Sequence, residues 1–179
     1  MSDGWKVAMT TLMEERVLFN RERVEKGPAD FALDLYRKRG APGPELRTRM
    51  IDIWIRARVQ RLDTVRAAAS RTAGIPGPEG SVGKLVYAEL NQDALELCLD
   101  LLGDESLLYD SYEMTDYTEA SLNQRSEHDL RRRFLRSRAY SIEGGTSEIM
   151  RNILADRVLG LPPEQRVDKG VPFSEVPRG

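Results

Sequence analysis

Glycine and proline fall in tight groups along this chain, and those groups decide what the rest can become. Gly27-Pro28, Gly40-Ala41-Pro42-Gly43-Pro44, the stretch from Gly74 to Gly80, Gly103, Gly144-Gly145 and Gly160-Leu161-Pro162 each interrupt the backbone. Such residues end helices and open turns. Most pieces between them repeat their apolar residues every three to four positions, the signature of one-sided helices. We see no alternating strand pattern and no internal repeat. The spacing therefore predicts an all-α chain folded as an antiparallel helix bundle, each apolar stripe covered by its neighbours.

The first helix should run from about Gly4 to Lys26, with Asp3 as its cap and Ala8, Leu12, Glu15 and Phe19 on one face. Glu15 is thus a carboxylate inside an apolar stripe, suited either to proton transfer or to a salt bridge beside Arg16. A short helical piece around Phe31, Leu35 and Tyr36 follows. The second long helix is expected from about Glu45 to Ala73, with Leu46, Met50, Ile53 and Ala57 inward. Trp54, Arg58, Leu62, Val65 and Ala69 lie alongside, and Arg47, Arg49, Arg56, Arg61 and Arg66 read as a solvated basic face. The third should span about Ser81 to Leu102, along Val82, Leu85, Val86, Leu90, Ala94, Leu97 and Leu101. Gly103 to Ser121 reads as an acidic, tyrosine-bearing loop.

A fourth helix, about Asn123 to Arg138, has Leu130, Phe134 and Leu135 as its apolar side. Its arginines, 131, 132, 133, 136 and 138, suit a phosphate-rich ligand or an acidic neighbour, though plain surface or inter-subunit pairing is the reading favoured. The fifth helix starts directly after Gly144-Gly145. Thr146 can cap it, Glu148 places charge where the helix dipole favours it, and Ile149, Ile153 and Leu154 supply its stripe. Bare backbone at a helix N-terminus can receive a flat ligand or serve as a plain turn.

Several function classes recede on composition. The 179 residues carry a formal net charge of -2, so no strong field recruits nucleic acid or an anionic membrane. The one cysteine, Cys98, excludes an intrachain disulfide and reads as a small core residue; the one histidine, His128, cannot build a histidine metal site unaided. The sequence has neither an apolar run of membrane-spanning length nor a signal-peptide pattern, and a cytoplasmic location is the expectation.

The stretch Gly-Gly-Thr-Ser-Glu-Ile-Met-Arg-Asn-Ile from Gly144, running on to Arg157-Val158-Leu159-Gly160-Leu161-Pro162, resembles the C-terminal signature of the acyl-CoA dehydrogenases. Gly4-Trp5-Lys6-Val7-Ala8-Met9-Thr10-Thr11-Leu12, with Glu15-Arg16, resembles the start of that family's C-terminal helical domain. The resemblance implies α,β-dehydrogenation of an acyl-CoA thioester, with FAD taking the hydride, a flavoprotein or similar electron acceptor, and a homodimer, tetramer or hetero-oligomer. It places this helical domain at residues 1–162 with an irregular tail at 163–179. It also leads one to expect the family's N-terminal helical and middle β-domains to be missing, Met1-Ser2 to be a trimmed start, and an isolated domain to be nearly inactive.

Members carry the base that removes the α-proton at one of two positions. The first, before the Gly-Thr of the signature, is Gly144 here and has no side chain. The second, before the arginine on the opening helix, is Glu15. The resemblance thus implies Glu15 as the base and Arg16 beside it on the substrate, with Gly144, Gly145, Thr146 and Glu148 against the flavin. Glu143 is offset by one residue, and Glu14 points away from the stripe. Glu148 stands where many members have Gln. Two other departures bear on the cofactor. Tyr36-Arg37-Lys38-Arg39-Gly40-Ala41 replaces an Arg-x-x-Phe-Gly motif that contacts flavin phosphates, and Leu101-Leu102-Gly103-Asp104-Glu105 replaces a glycine-rich stretch. A divergent, non-catalytic subunit or a helical assembly module is the alternative reading.

Overall fold

A computed structural model of the chain describes residues 3, 4, 6–8, 10–12, 27–40, 42–74, 77–108, 127–162 and 170–176. The described residues between 4 and 12 are helical; the rest of the expected first helix lies outside them. Five further helices follow: α1 (Pro28–Lys38), α2 (Pro44–Thr72), α3 (Glu79–Leu102), α4 (Glu127–Ser137) and α5 (Ser147–Arg157). Among the described residues there is no strand. Proline at the first turn of α1 and α2 uses a position where its missing N–H costs nothing. Asp30 accepts from the backbone N–H of Gly27 at 3.0 Å and secures the start of α1.

Helix α3 is the centre, packed against α1, α2, α4 and α5. The expected stripe Leu90, Ala94, Leu97 and Leu101 is buried. A second row, Lys84, Ala88, Asn91, Leu95, Cys98 and Leu102, is buried too. Those positions differ by three or four residues, so they share a face. Enclosed on both faces, α3 exceeds the one-sided helix the pattern predicted. Val82, Leu85 and Val86 are only half-buried.

Helices α2 and α3 run antiparallel. Arg49 meets Asp100 at 2.6 Å and Arg56 meets Asp93 at 2.5 Å. Stepping forward seven residues on α2 steps back seven on α3, as opposed helices require. Met50 and Ile53 face inward as expected. The uniformly solvated basic face is corrected, because Arg49 and Arg56 reach across to α3. Ile51, Ile55, Val59, Leu62 and Val65 stand exposed along the other side of α2, with Trp54 under the Arg58 guanidinium.

Helix α4 is fixed largely by its arginines. Arg131 donates to the carbonyls of Glu105 and Ser106, and Arg133 stacks over Phe31, 4.7 Å from the ring centre. Arg136 binds Glu143, and Arg138, just past the end of α4, binds Glu96 at 2.8 Å while covering Phe134. Leu130 is buried, but Leu135 is exposed, correcting its expected inward place. The short segment Gly103–Leu107, expected as loop, forms a 3-10 turn.

Candidate functional site

The Gly-Gly turn is built by geometry that only glycine adopts with ease. Gly144 has φ of 66° and Gly145 φ of 107°, both in the region where a Cβ is strained. The turn reverses the chain after the 3-10 segment Arg138–Ser141 and delivers it into α5. Thr146 caps that helix as predicted, its hydroxyl accepting from the Ile149 N–H at 3.3 Å. Met150, fully buried, anchors α5 to the bundle. Ile149 is instead nearly half exposed, so the inward face is rotated from the one expected.

Glu148 lies on the first turn with its side chain 77% exposed. Its own backbone N–H and the Thr146 hydroxyl hold its carboxyl below the usual range, with Arg151 and Lys84 adding to the effect. Glu143 is held by two bonds from Arg136, at 2.8 and 3.0 Å. A carboxylate clamped in this way is poorly placed to act as a free base. Gly145 and Thr146, both half-buried, and exposed Glu148 lie together at the start of α5, but Gly144 is buried, which corrects its expected place as bare backbone open to a ligand. Glu15, Arg16, Glu14 and the side chain of His128 lie outside the described residues.

Side chains of α3 hold the turn and its neighbours. Lys84 donates to the Gly145 carbonyl, and Tyr87 meets Tyr140 edge to face at 5.3 Å. Glu89 pairs with Arg151, Gln92 donates to the Ser137 carbonyl at 3.1 Å, and Glu96 pairs with Arg138. The sequence reading missed Lys84. The signal was available, because position 84 is in phase with Ala88, Asn91 and Leu95.

At another part of the bundle the two remaining departures meet. Arg39 forms a two-pronged pair with the Glu105 carboxylate. That pairing, with the charges of Arg39, Arg131 and Lys38, holds the Glu105 carboxyl below its usual range. Among the described residues no cluster is arranged to hold a metal ion, and no helix is long and apolar enough to cross a membrane.

Comparison with known proteins decides the ancestry. The profile of the acyl-CoA dehydrogenase C-terminal domain matches residues 2–159. The chain belongs to that family. It is similar to the acyl-CoA dehydrogenase IpdE1 of Mycolicibacterium smegmatis, 32% identical over 90% of this chain and 38% of the relative. The IpdE1 protein of Mycobacterium tuberculosis is 30% identical over 92% of this chain and 40% of the relative. The acyl-CoA dehydrogenase FadE34 of the same organism is 27% identical over 90% of this chain and 20% of its own length. The chain therefore spans two-fifths or less of the curated relatives it matches. An acyl-CoA dehydrogenase C-terminal domain accounts for both the all-helical bundle and the surviving signature turn.

Proposed function

We propose that this chain is the C-terminal helical part of an FAD-dependent oxidoreductase that introduces an α,β double bond into an acyl-CoA thioester. The reading rests above all on the Gly144-Gly145 turn, which leads into a Thr146-capped helix within the family's own bundle. The donor set of the turn fits a flat ring system: little side-chain bulk, a hydroxyl and a helix N-terminus. Gly145, Thr146 and Glu148 would lie against the flavin, and bound FAD supplies the hydride acceptor. Glu15 removes the α-proton and Arg16 stands beside it on the substrate. Gly144 offers no carboxylate, and Glu143 is occupied by Arg136. A flavoprotein or similar acceptor would reoxidise the cofactor.

The test follows the α-proton. In the FAD-loaded full-length enzyme, acyl-CoA in heavy water should gain deuterium at the α-carbon. Glu15→Gln should lower that exchange at least about a hundredfold, the usual minimum for a lost general base. Unchanged exchange in Glu15→Gln removes it as the base.

A second reading, a helical assembly module or divergent subunit, is favoured by the Arg39–Glu105 pair and the exposed apolar residues of α2. A diphosphate approaching Arg39 would have to displace a carboxylate already bound there. Light scattering showing a strict monomer counts against the module.

A further inference from the structure

Lysine is among the residues least often removed fully from water, because its charge must be compensated. Lys84 is 0% exposed. It heads the inner row of α3, one turn before buried Ala88, and its Nζ donates to the carbonyl of Gly145. The bond spans 61 residues of sequence and ends on the peptide that joins the two left-handed glycines to the α5 cap.

Glycine pairs have many backbone states open to them. Thr146 caps α5 only if the preceding peptide is turned one way. A donor fixed in the core, aimed at the Gly145 carbonyl, selects that orientation. We infer that Lys84 is a positioning residue: it locks the Gly144–Thr146 backbone in the shape that presents the α5 N-terminus. Its charge also reaches outward, since it helps hold the exposed Glu148 carboxyl in its ionised form. The same buried group thus sets the backbone and biases the charge of the surface that, on the reading above, faces the flavin.

Two readouts test this, and only the second depends on that reading. The first is amide hydrogen exchange in the whole chain. The Met150 N–H bonds the Thr146 carbonyl at 3.0 Å, and the Ile149 N–H bonds its hydroxyl. Lys84→Met should speed exchange at Ile149 and Met150 by about tenfold or more, while the buried middle of α3 at Leu97 and Cys98 keeps its protection. Lys84→Gln, a milder change, is read in the same way, and Lys84→Arg should restore part of the protection. Asn91→Leu, in the same row but bonded only within α3, should leave Ile149 and Met150 unchanged. Unaltered exchange in Lys84→Met overturns the inference. So does an equal loss at Leu97, or collapse of both neutral variants, because the role would then be general core support.

The second readout is quenching of FAD fluorescence on titration. Lys84→Met should weaken binding about tenfold relative to the wild type and to Asn91→Leu. Equal affinity in all three counts against positioning. The titrations use the full-length enzyme; if its wild type binds no FAD, the flavin reading fails, while the exchange result still judges Lys84.

Discussion

Raising the pH should expose how dry the middle of α3 is. Cys98 is fully buried, and burial pushes its thiol from an ordinary value of 9.0 up to about 12. Between those values the unfolded chain has released a proton that the folded chain retains. The folded state binds more protons there, so stability must fall as pH rises; below 9.0 the contribution is fully present. At pH 10.5 an unfolded thiol is about 97% ionised and the folded one about 3%, which corresponds to a loss of about 2 kcal/mol relative to pH 8. Tyrosines and lysines titrate in the same range, so the comparison needs Cys98→Ala, which removes this thiol and leaves the others. Urea unfolding followed by circular dichroism at pH 8 and pH 10.5 gives four free energies. The wild type should lose about 2 kcal/mol more than the variant between the two pH values. The cavity left by the substitution is a constant offset and cancels. Equal losses in both proteins would refute the argument, because Cys98 would then ionise as freely folded as unfolded.

Thr146→Ala removes the α5 cap and should cost about 1 kcal/mol, lowering the melting temperature by roughly 2–4 °C; Thr146→Ser should recover most of it. Leu97→Ala opens a cavity where α3 is enclosed and should cost about 2–5 kcal/mol, read as a lower urea midpoint. Glu143→Gln breaks a partly exposed pair with Arg136 and should cost less than about 1 kcal/mol by thermal melting. In the FAD-loaded full-length enzyme the same substitution should leave α-deuterium exchange close to wild type.

Helix placement was legible because glycine and proline mark ends so firmly. The pattern put α2 at about Glu45 to Ala73, and the helix runs Pro44–Thr72. Thr146 as a cap was equally plain, since hydroxyl residues after a glycine turn have one common use. Charge partners were harder. Arg49 and Asp100 lie 51 residues apart, and nothing local marks them as neighbours. The arginines of α4 read as surface or inter-subunit charge because a sequence shows a cluster of charge without the carbonyls, carboxylates and rings that receive it. Lys84 escaped for the opposite reason: a cation in a core row reads as surface unless its phase is checked. Leu135 shows the matching error, an apolar residue credited to the core that stands in solvent. Glu15 and Arg16 stay proposals resting on motif position.

The union of Arg39 with Glu105 has a practical corollary. Its two halves lie in separate stretches, 66 residues apart, and each offsets the other's charge. Chimaeras that graft only the 36–41 loop or only the 101–105 segment from a relative would break this pair. Swaps should therefore carry both stretches together, as a single heritable unit split across the primary sequence.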